Sequence, residues 1–173
     1  FVAGKHSVDP GFLTVMVEVE GTFFGNDAAK KMYESYLEAM PWSATINNNL
    51  AYLLSNMNIE VERGIELVNK AIALEPNNAR FYLDTLGWLL YRKGDLEGAA
   101  RQIEAAIAES DDQYGYAIAE VLYHLAEVRL AQGNRKEGVK VLRDTMNADP
   151  NGQFGRLAVA RLKELGEDPY FLK

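Results

Sequence analysis

The 173 residues suffice for one domain of ordinary size or a short array of repeats, and a hydrophobic share of 48% allows a substantial core, which excludes wholesale disorder. The formal net charge of -7 comes from 18 Lys and Arg against 25 Asp and Glu, with no basic run longer than two residues, which disfavours nucleic acid and anionic lipid as partners. The absence of cysteine removes disulfides, thiolate metal sites and Cys nucleophiles, and the longest apolar piece, Phe12 to Val19, falls short of the roughly 20 residues of a membrane span.

The chain opens on Phe1 rather than Met, so an excised or matured fragment is expected, and with no export or membrane segment in the sequence a soluble protein, cytoplasmic or periplasmic, is expected. Residues 10–23 begin with Asp9 as a helix N-cap and Pro10 at the first helical position, yet LTVMVEVEG alternates as a strand does, so helix and strand both stay open there. Ala29, Tyr33 and Tyr36 then share one face of a helix that Pro41 ends. Asn47, Leu50, Ala51 and Leu54 follow at helical spacing, Asn58 supplies a residue tolerant of the left-handed turn, and Gly64, Val68 and Ala71 mark a second helix closed by Pro76.

The plan then repeats. Leu83, Leu86, Gly87 and Leu90 form an apolar face, Gly94-Asp95 ends one helix and caps the next, and Leu96, Ala99, Ala100, Ile103, Ala106 and Ile107 form the following stripe. A third copy has Leu122, Leu125, Ala126 and Leu130, then Gly133-Asn134, then Gly138, Val141, Leu142 and Pro150. Ala51 and Gly87 stand 36 positions apart, and Gly87 and Ala126 stand 39 apart. The final stripe is Phe154, Leu157, Ala158, Arg161, Leu162 and Leu165, ended by Gly166.

Helix–turn–helix units with small residues at Ala51, Gly87 and Ala126, small residues early in the second helix at Gly64, Ala99 and Gly138, and closing prolines resemble the tetratricopeptide repeat, bacterial members especially in the run LDTLGW. The resemblance covers residues 44–150 strongly. It implies an all-α fold: a right-handed solenoid of antiparallel helix pairs in a single domain. The units expected are a degenerate repeat at 10–43, repeats at 44–78, 79–112 and 113–150, a capping helix at 151–166, and a tail at 167–173. The spacings exceed the family period of about 34 residues. The larger excess is assigned to a longer loop near Ser110-Asp111-Asp112 or a lengthened helix near 113–132.

No phosphate-binding loop, dinucleotide fingerprint, nucleophile elbow or HExxH zinc pattern occurs. His6 and His124 lack neighbours at metal-ligand spacing, and His124 is expected on a helix flank. Ser110, Asp111 and Asp112 read as caps of the next helix. No catalytic residue, metal or cofactor is therefore expected.

The resemblance implies that the first helix of each repeat lines a concave, partner-binding surface. Residues left over from the apolar stripes are the candidates: Asn48, Tyr52, Ser55 and Asn56; then Phe81, Asp84, Trp88, Tyr91 and Arg92; then Glu120, Tyr123 and Glu127. Their aromatic character suits an interface. The alternative is that Trp88 and Tyr52 pack between repeats. The clamp by which some family members hold chaperone tails is not matched, because Tyr52, Trp88 and Glu127 stand where it needs Asn or a cation. The expectation is a non-catalytic module binding a partner peptide or helix. Self-association into a scaffold and service as the regulatory arm of a larger protein are the alternatives.

Overall fold

A computed structural model describes residues 25–108 and 115–170. Among them are eight α-helices: α1 (Asn26–Ala39), α2 (Ala44–Met57), α3 (Val61–Leu74), α4 (Arg80–Lys93), α5 (Leu96–Ala108), α6 (Gly115–Ala131), α7 (Arg135–Ala148) and α8 (Gln153–Glu164). A short 3-10 turn, Pro76–Asn78, precedes α4. The choice between helix and strand at 10–23, the Ser110–Asp112 caps and the end of the tail lie outside the described residues. No described helix is long and apolar enough to cross a membrane.

The helices end where the turn chemistry dictates. Gly94, Gly133 and Gly166 have φ of 89°, 79° and 72°, and Asn58 has φ of 53°, the left-handed conformation. The same closure recurs at each. After α4, the Gly94 N–H donates to the Tyr91 carbonyl and the Asp95 N–H to that of Leu90, at 3.0 and 2.9 Å. Gly133 and Asn134 repeat this on Leu130 and Arg129, and Asn58 and Ile59 on Ser55 and Leu54. Asp95 then caps α5 by accepting from the Gly98 N–H at 2.8 Å, and Asn134 caps α7 by accepting from Glu137 at 3.3 Å. Helix α6 has 17 residues where α2 and α4 have 14, so part of the long spacing is extra helix.

The contacts divide the chain into two compact units, with the boundary between Thr85 and Leu86 inside α4. In the first unit α1 packs on α2, and α2 on α3. Ile46, Leu50, Leu54 and Val68 are fully buried, each gaining about 1.5–3 kcal/mol from removal from water. Asn47 is buried among them because its amide donates to the Ser43 and Pro41 carbonyls, at 2.7 and 3.2 Å, and so holds the α1–α2 turn. Lys30 of α1 and Arg63 of α3 share the carboxylates of Glu34 and Glu60 at 2.6–3.0 Å.

In the second unit one core joins Ala99, Ala100 and Ile103 of α5, Leu125, Ala126 and Val128 of α6, Val139, Val141 and Leu142 of α7, and Ala158 and Leu162 of α8. Gly87 permits the close approach of α4 and α5: a Cβ there would stand 2.4 Å from Ile103 Cγ1 and 3.1 Å from the Ala99 carbonyl oxygen.

Three details differ from the apolar stripes read in the sequence. Leu157 is 39% exposed, because the buried face of α8 runs through Gly155, Ala158 and Leu162. Leu89, outside the α4 stripe, is fully buried, whereas Leu83 and Leu90 are half-buried. Ser55, placed among the outward residues, is fully buried: it continues the i, i+4 line of Asn47 and Ala51, and its hydroxyl donates to the Tyr52 carbonyl at 2.6 Å.

Candidate protein-interaction surface

The candidates of the first unit lie on α2 and at the start of α4. Asn48 and Tyr52 are one turn apart on α2 and both half-buried. The Asn48 amide donates weakly to the Asn49 side-chain oxygen at 3.4 Å, and its own side-chain oxygen is buried without a hydrogen bond. Phe81 is 56% exposed with the Arg80 guanidinium 4.7 Å above its ring, and Asp84 is half-buried.

The second unit brings its candidates together. Trp88, Tyr91 and Arg92 come from the last turns of α4, Tyr123, His124 and Glu127 from α6, and Phe154 and Arg161 from α8. Trp88 belongs to two near-parallel ring stacks, with Tyr91 at 4.7 Å and 9° and with His124 at 4.1 Å and 15°. His124 continues edge-on to Phe154 at 6.3 Å, and Tyr123 meets Phe154 at 6.0 Å. The Arg92 guanidinium lies 4.6 Å from the Trp88 ring and 5.8 Å from that of Tyr91, within cation–π range.

This stack corrects the flank position expected of His124, which is only 3% exposed. The aromatic partner on α4 makes the interior hospitable to an imidazole that helical spacing alone assigns to the outside. Trp88, 6% exposed, serves packing more than contact with a partner. What the ladder leaves half-buried and reachable are Tyr91, Arg92, Tyr123 and Phe154. Phe154, from the apolar stripe of α8, is half-buried, and His124 is buried. Trp88 and His124 stand 36 positions apart, the spacing of Ala51 and Gly87, and that match is the sequence signal for their stacking.

Charge fixes the register of α8 on α6. Arg161 donates from Nε and Nη2 to the two carboxylate oxygens of Glu127, at 2.8 and 3.2 Å, and from Nη1 to Glu164 at 3.0 Å. The hydrogen bond to Glu127 is the leading cause of a raised Arg161 pKa. Glu127 thus spends its acceptors inside the protein. Burial, reinforced by the Glu127 carboxylate, raises the Tyr123 phenol above its ordinary value, so it stays a neutral hydroxyl at physiological pH.

No protein-family model matches the sequence. Human mitochondrial import receptor subunit TOM70 is 28% identical over 116 residues, which are 65% of this chain but only 18% of the receptor. Among solved structures, PilF of Pseudomonas aeruginosa aligns with a TM-score of 0.64 at 19% identity, over 90% of this chain and 69% of that one. BtubC from P. vanneervenii aligns with 0.63 at 18%, over 97% and 70%, and MamA from Desulfovibrio magneticus RS-1 with 0.58 at 14%, over 90% and 86%. PilF and MamA are tetratricopeptide-repeat proteins, and TOM70 contains such repeats. Structural likeness at these identities speaks to fold, and it agrees with the helix pairs, left-handed closures and close-packed Gly87: the chain has an all-α fold of helix pairs similar to that of tetratricopeptide-repeat proteins.

Proposed function

We propose that the chain is a non-catalytic recognition module that binds a segment of another protein on the face formed by the end of α4, by α6 and by α8. The observation that carries this reading is the ladder of Tyr91, Trp88, His124 and Phe154, which crosses three consecutive first helices and holds Arg92 and Tyr123 at its edge. Rings fixed by stacking lose little entropy when a partner arrives, and aromatic and arginine side chains are the usual anchors of interfaces. The Glu127–Arg161 pair adds to this preorganisation by tying α8 to α6.

The test compares three proteins as bait in a lysate of the source organism, after circular dichroism has verified equal helicity. They are the intact chain, an Arg92→Glu/Tyr123→Ala variant of the face, and a Lys140→Glu/Asp144→Lys variant of exposed α7 positions. A partner retained by the intact chain and the α7 variant, and lost at least tenfold by the face variant, is expected. Equal retention by all three would remove the interface from this face.

A further inference from the structure

Asn151-Gly152 is the only Asn-Gly pair in the sequence. It lies in the turn between α7 and α8, with Gly152 as the N-cap of α8. The fold needs glycine there, because a Cβ at position 152 would collide with the Asp149 carboxylate. That carboxylate holds the start of α8 by accepting from the Phe154 and Gly155 N–H groups, at 3.1 and 3.4 Å. Asn151 is exposed, and its side-chain amide has no hydrogen-bond partner among the described residues. Its main-chain carbonyl, by contrast, accepts from Arg156 Nη1 at 2.6 Å. The Gly152 N–H makes only a long contact, 3.4 Å to the Asp149 carbonyl.

We propose that Asn151 is a site of intramolecular deamidation, with the Gly152 nitrogen as the nucleophile and Arg156 as the group that activates it. A peptide nitrogen attacks only after losing its proton, and the resulting charge is shared with the carbonyl oxygen of the same peptide unit. Here that oxygen is the one held by the Arg156 guanidinium, so a cation sits where the negative charge develops. The N-terminal turn of α8 adds positive potential on the same side. Glycine has no side chain to obstruct the approach of its nitrogen to Asn151 Cγ. The N–Cγ bond forms, the Cγ–Nδ2 bond breaks, and Nδ2 takes a proton from water and leaves as ammonia. Water then opens the cyclic imide at Cγ, giving aspartate, or at the main-chain carbonyl carbon, giving isoaspartate. The isoaspartate branch inserts a methylene into the main chain between the Asp149 cap and the Phe154 and Gly155 amides that it holds. The modification therefore loosens the end of α8 that carries Phe154. This inference goes beyond the proposed function and does not rest on it.

The test incubates the full, folded chain in mildly alkaline buffer and follows each asparagine by mass spectrometry of its proteolytic peptides, with isoaspartate detected by enzymatic methylation. Conversion at Asn151 is expected to run at least tenfold faster than at Asn77, which is also exposed but is followed by Asn78. Arg156→Gln, a change at an exposed position, is expected to slow conversion several-fold in the folded chain. In guanidinium, where the contact is lost, the intact chain and Arg156→Gln are expected to convert at the same rate. Arg156→Lys keeps the charge and is expected to retain part of the acceleration. Conversion at Asn151 no faster than at Asn77, or equal rates for the intact chain and Arg156→Gln when folded, would overturn the proposal. So would a difference that persists in guanidinium, because it would trace to the local sequence rather than to the contact.

Discussion

Gly87 shows how a single residue sets a helix–helix distance. A methyl group at that position meets not only the Ile103 side chain but also the rigid Ala99 carbonyl, so side-chain movement alone cannot make room. Gly87→Ala is expected to destabilise the protein by about 1–3 kcal/mol in chemical denaturation. Gly138 is the contrasting case. Its Cβ would stand 2.6 Å from Leu130 Cγ, with the nearest backbone atom, the Ala126 carbonyl oxygen, at 3.3 Å. Gly138→Ala is expected to cost less than Gly87→Ala in the same measurement. Trp88 is structural as well: removing its ring opens a cavity under Tyr91 and His124, and Trp88→Ala should cost about 3–5 kcal/mol. The small residues Ala51, Gly87 and Ala126 were legible because a repeated gap in side-chain size has few other causes. Ser55 and His124 were not: a hydroxyl that satisfies itself on the preceding turn, and an imidazole matched to a distant indole, leave no mark on local periodicity.

Helix ends carried the clearest sequence signal, since Gly94-Asp95, Asn58 and Gly133-Asn134 each close one helix in the left-handed conformation. Helix faces were harder. Helix α6 buries Ala119, His124, Leu125, Ala126 and Val128 and half-buries Val121, Leu122 and Tyr123, so it packs on more than one side. A single apolar stripe describes such a helix poorly. Glu60, just before α3, is a further case: it takes φ of 47° without being Gly or Asn, held by its ion pairs to Arg63 and Lys30. Glu60→Ala loses the ion pairs and keeps the strain, whereas Glu60→Gly loses both. Glycine is expected to be the more stable of the two by about 1 kcal/mol, read from their melting curves. Hydrogen bonds from Arg63 and then Lys30 hold the Glu34 and Glu60 carboxyls below their ordinary value. Their contribution is therefore present above the ordinary carboxylate range and is lost as pH falls through the lower folded-state values. These groups are largely solvated, so the effect is small and screened by salt. Between neutral pH and pH 3 the intact chain should lose slightly more Tm than Arg63→Gln does, and added salt should remove the difference.

At the level of the whole chain, helix type was readable over the described residues between 44 and 165, because the same helix–turn–helix grammar recurs three times. The partition into units at Thr85 and Leu86 was not readable, since it falls inside the uninterrupted helix α4. Contacts made mainly between helices adjacent in sequence make stability local. Leu142→Ala, in the second core, is expected to lower hydrogen-exchange protection of α5 to α8 by about 2–5 kcal/mol and to change α2 far less. The proposed binding face draws on three helices separated in sequence. The most direct test places the photoreactive residue benzoylphenylalanine at position 123 or at exposed position 140 and irradiates cells of the source organism. A covalent adduct to another protein from position 123 and none from 140 is the predicted result. An adduct from 140 alone, or adducts from 123 only to a second copy of this chain, would contradict the account.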